Sequence, residues 1–85
     1  MPYIKQPQRP ALDKHLGPLN AHIVTAGELN YAITRLCLGF VGGQPRYDDF
    51  NKVMGVLACA AAELYRRHVA PYEDQKIAEN GDVSG

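Results

Sequence analysis

Apolar residues along this chain recur three and four positions apart, the spacing that aligns side chains on one side of an α-helix. Leu12, Leu16, Leu19 and Ile23 form the first such series. Pro10 suits a first helical turn, so the series predicts a helix over about 10–24, kinked or split at Gly17-Pro18. Ahead of it, Pro2, Pro7 and Pro10 hold residues 1–9 as an extended arm, because proline restricts its own φ and the residue before it.

Thr25 and Glu28 stand three apart in the manner of a capping box, and a second helix is predicted to begin there. Leu29, Ile33, Leu36 and Phe40 mark one face of it, while Tyr31 and Leu38 fall on nearly the opposite side. Such a helix has two dry faces, which self-association or burial inside a bundle would explain. Gly42-Gly43-Gln44-Pro45 then breaks the pattern, and Asp48 and Asp49 supply an N-cap with favourable charge at a positive helix end. A third helix is predicted from Asp48 to Val69, with Phe50, Met54, Leu57, Ala61, Leu64 and His68 in one stripe and Tyr65 and Tyr72 beside it. Gly55 and the run Ala58-Cys59-Ala60-Ala61-Ala62 are small on every side. Small side chains let a second helix approach closely, although good helix propensity alone also accounts for alanine here. Pro71 ends or kinks this helix; Tyr72 to Ala78 still read as helical, Asn80-Gly81 supplies a stop, and residues 82–85 form a frayed tail. The prediction is a single all-α domain over 1–85, a small bundle of three main helices with a Pro-kinked C-terminal helical segment.

At 85 residues the chain buries a modest share of its unfolded surface, so a staple is expected: disulfides, a metal or self-association. Cys37 and Cys59 both sit in apolar helical patterns, where a buried free thiol is the ordinary expectation, and reduced thiols fit a cytoplasm. His15, His22 and His68 show none of the close pairings that mark zinc, so no metal or other cofactor is expected. Homo-oligomerisation is left as the staple. Nine Lys and Arg balance nine Asp and Glu, which argues against a nucleic-acid binder. No apolar stretch reaches the roughly 20 residues needed to cross a bilayer, and the N-terminus lacks the build of a secretory signal.

Candidate chemistry gathers near the C-terminus. Arg66 and Arg67 offer planar forks that grip phosphate or carboxylate, and Tyr65 offers a flat face for stacking. With Tyr72, Lys76 and, from the second helix, Arg35 and Tyr31, these residues suit a pocket for a nucleotide-like small anion. Ordinary intrahelical ion pairs would absorb the same charges, since Glu63 lies four residues before Arg67 and Glu73 three before Lys76. His68, on the apolar stripe, reads first as a core histidine. Catalysis has less behind it: Asp48-Asp49 and Glu73-Asp74 each point to different helix faces, and no phosphate loop, metal box or nucleophile elbow occurs, so a non-enzyme is expected.

Gly27-Glu28-Leu29-Asn30-Tyr31-Ala32-Ile33-Thr34 and the segment from Tyr65 to Val83, together with the opening Met1-Pro2-Tyr3-Ile4 and Arg9-Pro10, resemble a family of short, functionally unassigned proteins of bacteria and tailed phages. That resemblance brings no activity. Size, expected self-association and the Arg/Tyr cluster are also similar to compact phage proteins that oligomerise and sequester nucleotide signals of bacterial immunity. The expectation is a non-enzymatic sponge in which Arg66, Arg67 and Lys76 hold phosphates, Arg35 assists, and Tyr31, Tyr65 and Tyr72 stack. The alternative is an adaptor that occludes a host protein through its helical surface.

Overall fold

Pro7 and the residues around it close the first turn of the computed structural model, which describes residues 2–85. The predicted extended arm holds a 3-10 turn over Gln6–Gln8 instead of running straight to residue 9, because proline's φ is already that of a helical turn. The Gln8 N–H donates to the Lys5 carbonyl at 3.0 Å, and the Arg9 guanidinium donates twice to the Ile4 carbonyl, at 3.1 and 3.2 Å. Met1 lies outside the described residues.

Helix α1 covers Arg9–His22 and passes through Pro18 without a break. Proline there lacks the N–H that would bond the Lys14 carbonyl, yet the residue before it is Gly17, with no Cβ to meet the ring. Helix α2 covers Ala26–Val41 and begins with the predicted capping box. The Thr25 hydroxyl oxygen accepts from the Glu28 N–H at 3.1 Å. Glu28 Oε1 in return accepts from the Val24 N–H at 3.0 Å, the Thr25 N–H at 2.8 Å and the Thr25 hydroxyl at 3.1 Å. Gly42 closes α2 at φ 80°, where a Cβ would be strained, and its N–H donates to the Leu38 carbonyl.

Helix α3 covers Tyr47–Leu64. Its start corrects the expectation that Asp48 or Asp49 is the N-cap: both lie in the first turn, and Asp49 reaches back to accept the Arg46 N–H at 2.9 Å. Asp48 pairs instead with Lys52 at 3.6 Å. A π-turn over Tyr65–Val69 follows, and helix α4 covers Ala70–Asn80, so the predicted segment beyond Pro71 forms without a gap. Gly81, at φ 87°, ends it where Asn80-Gly81 was expected to. The chain is all-α, with no strand among the described residues.

Two compact units make up the chain: one from Tyr3 to Met54, the other from Gly55 to Gly85 with Pro2. Among the described residues no side chain is buried. Leu19, Ile23, Ala32, Cys37, Val41, Val53 and Leu57 are half-buried. The stripe predicted along α2 is open, with Leu29 at 49%, Ile33 at 39%, Leu36 at 61% and Phe40 at 68% exposure. Phe50, Met54 and Leu64 of the α3 stripe are open as well. His68 is likewise exposed, which corrects its reading as a core histidine. The expectation of two buried thiols is corrected too: both cysteines are free, Cys37 half-buried and Cys59 exposed, because a single chain closes no core over them. No helix is long and apolar enough to cross a membrane among the described residues.

Candidate functional site

Pro71 shapes the C-terminal segment. Inside an ordinary α-helix its ring would collide with the carbonyl four residues back, that of Arg67, and its missing N–H would leave that carbonyl unbonded. The chain widens here, and the Ala70 N–H donates to the Tyr65 carbonyl, five residues back. One extra residue is thereby taken up, so positions eight apart across the turn fall close to the two-turn alignment that seven residues give in an α-helix. Tyr65 and Glu73 are such a pair. The Tyr65 hydroxyl bonds the Glu73 carboxylate, and that bond, followed by the negative charge of Glu73, slight burial and the charge of Asp74, holds the phenol above its ordinary pKa.

Five of the residues predicted for the site belong to the unit from Gly55 onward: Tyr65, Arg66, Arg67, Tyr72 and Lys76. Their partners differ from the expected ones. Glu63 holds Arg66, with Nε to Oε2 at 3.3 Å and a second contact from Nη2 to Oε1, instead of pairing with Arg67. Lys76 donates to Glu79 at 3.2 Å instead of to Glu73, whose carboxylate Tyr65 has engaged. The Lys76 ammonium also stands 5.5 Å from the centre of the Tyr72 ring, within cation–π reach. Arg67 has no partner among the described residues. Tyr65 and Tyr72 keep 52% and 59% of their surface open, so their rings stay available for stacking.

Tyr31 and Arg35 belong to the other unit, one helical turn apart on α2. Arg35 Nη1 donates to the Tyr31 hydroxyl at 3.2 Å, and the guanidinium carbon lies 5.9 Å from the ring centre. The pair rims an open groove of about 820 Å³ between the end of α1 and the start of α2, with Leu19, Ile23, Ala32 and Leu36 as its apolar walls. That groove went unread in the sequence. Its signal is present as two apolar pairs four apart, Leu19/Ile23 and Ala32/Leu36, on either side of the Thr25 cap. Glu28 beside it is committed to the helix start: the bonds from the Thr25 and Val24 backbone, then the Thr25 hydroxyl, hold its carboxyl below the usual glutamate range. Among the described residues no cluster of three or more His, Cys, Asp or Glu side chains is placed to hold a metal ion.

Comparison with known families matches residues 1–83 to the one described as Domain of unknown function (DUF6899). No curated protein and no solved structure matches.

Proposed function

The chain belongs to the DUF6899 family, whose description assigns no activity, and from its side-chain geometry we propose a non-enzymatic binding protein that assembles with itself and sequesters a nucleotide-derived small anion. The observation that carries this reading is the pairing of cations with open aromatic rings. Lys76 stands over Tyr72, Arg35 over Tyr31, and the Arg67 guanidinium, without a partner among the described residues, lies two residues from Tyr65. Such pairs offer a base a flat face and a phosphate a positive charge. With no side chain buried among the described residues of one copy, the walls that exclude water from the ligand come from a neighbouring copy. Sequestration needs stoichiometric binding and no turnover. The resemblance of residues 27–34 and 65–83 to short, functionally unassigned proteins of bacteria and tailed phages suggests a setting for the proposal: a phage or prophage protein in the host cytoplasm, acting on an immune signal.

Calorimetry against cyclic dinucleotides and ADP-ribose-derived molecules tests it. Tight binding by the full chain, weakened at least about tenfold in Arg67→Ala and again in Tyr72→Ala, is the expected result, on the scale of a lost charge-assisted contact. A second reading has its own support. Glu63 and Glu79 already occupy Arg66 and Lys76, and between residues 63 and 79 four carboxylates outnumber three cations. A surface of pinned charges and exposed tyrosines also suits an adaptor that occludes a host protein. Silence across the nucleotide panel, with a stable protein partner that Tyr72→Ala releases, favours that adaptor.

A further inference from the structure

We infer that the groove between the end of α1 and the start of α2 is a binding site, contained within residues 3–54, for a planar apolar ring bearing a single anionic group, as in an aryl carboxylate or a nucleoside monophosphate. The inference rests on the proposed sequestering function and names a subsite and a ligand chemistry within it. The groove measures about 820 Å³, inside the range of about 300–1000 Å³ that small-molecule sites occupy. Leu19 and Ile23 face it from one side, Ala32 and Leu36 from the other, and the Tyr31 ring beside them is 65% open. Hydrogen bonds between Asn20 and Glu28 tie the turn that joins the two walls. The Ile23 N–H donates to the Asn20 carbonyl at 3.2 Å, and Glu28 Oε1 accepts from the Val24 N–H, the Thr25 N–H and the Thr25 hydroxyl.

Charge selects an anion for this groove. Arg35 spends Nη1 on the Tyr31 hydroxyl at 3.2 Å, and among the described residues its Nη2 and Nε have no acceptor. Those two nitrogens form a planar edge that fits a carboxylate or phosphate. His22 adds an imidazole to the same groove. Glu28 is the one carboxylate lining it, and it stands two helical turns from Arg35, about 10.5 Å along α2. Its charge is also answered by the positive start of that helix.

The other cation and ring pair has a poorer setting. The pocket that Lys76 lines is about 350 Å³, Glu73 and Asp82 line it too, and Glu79 already holds the ammonium. An uncharged helix face laid over the α1–α2 groove would fill its apolar part and leave the free edge of Arg35 without an acceptor, which is costly once water is excluded. The α2 helix of a second copy is such a face, since its one acid, Glu28, is committed to the helix start. A ring with an anionic group satisfies walls and guanidinium together.

An NMR titration of the full chain with 1-naphthoate and AMP, each against its uncharged counterpart 1-naphthalenemethanol or adenosine, tests the inference. At least one of the two anions is expected to bind once per chain, with shifts gathered on the Leu19, Ile23 and Leu36 methyls, and at least about tenfold more tightly than its counterpart. Naphthoate alone assigns the groove to aryl carboxylates, whereas AMP assigns it to nucleoside phosphates. Arg35→Gln is expected to abolish the preference for the anion, Arg35→Lys to restore part of it, and Lys52→Gln, an exposed lysine of α3, to leave it unchanged. The comparison of charged with uncharged probe on the wild type decides the matter even where Arg35→Gln fails to fold. Equal binding of the two, or shifts that gather on Tyr65, Arg67 and Tyr72, overturns the groove and leaves sequestration standing. So does silence toward both anions from a chain that binds a cyclic dinucleotide tightly. Probe that is expelled on concentrating the chain assigns the groove to a second copy and overturns the inference. Silence toward these probes and the whole nucleotide panel overturns both.

Discussion

Glu28 and Tyr65 carry opposite shifts, and each has a direct consequence for stability. Glu28 gains its bonds as a carboxylate, so its folded pKa lies below the ordinary value. Its contribution is full above the unfolded pKa of about 4.3 and is lost as pH falls through the folded one. Glu28→Gln is therefore expected to lower the melting temperature at neutral pH and to converge with the wild type in acid. Thr25→Ala removes the other half of the box and is expected to cost about 1 kcal/mol in urea unfolding. Tyr65 runs the other way. Its folded pKa is raised, so its bond to Glu73 contributes below the ordinary phenol value of about 10 and is lost as pH rises through the folded value. In an NMR titration Tyr65 is expected to ionise above that ordinary value, and Glu73→Gln to bring it back down.

Pro71 is a single residue whose effect is spread over an element. Replacing it with alanine restores an N–H and removes the collision with the Arg67 carbonyl, so the widened turn is expected to relax toward α-helix. Two readouts follow for Pro71→Ala: stability rises, by at most about 3 kcal/mol, and the Tyr65 ionisation drops as Glu73 rotates off its face. Elements of this kind show where sequence reading stops. The Thr25 box, the Gly42-Gly43 break and the Asn80-Gly81 stop were all legible, because each rests on local chemistry of three or four residues. The π-turn was not, since proline signals a fault in the helix without saying whether the chain breaks, bends or widens to absorb it. The Lys76 pair was misassigned for the same reason: with the turn widened, Glu73 meets Tyr65, and Lys76 takes Glu79.

For the whole molecule, periodicity told which residues share a face and left open what covers it. Leu29, Ile33, Leu36 and Phe40 line up as predicted, yet they stand open in a single copy. The α1 side of the groove was within reach of the sequence, whereas its join to α2 depends on the turn at residues 23–25, which fixes the angle between the helices. If copies cover these stripes, serial dilution is expected to raise the fluorescence of an apolar dye such as ANS per chain. Leu36→Glu is expected to lack that concentration dependence. The widened turn also bears on chain length. It holds one residue more than an α-turn, so dropping a single residue between Arg66 and Val69, together with Pro71→Ala to remove the collision with the carbonyl four residues back, leaves Tyr65 and Glu73 two ordinary turns apart, on a common side. The same omission anywhere else in α3 or α4 swings every later side chain by about 100°. Homologues shorter by one residue there are thus expected to lack the proline as well.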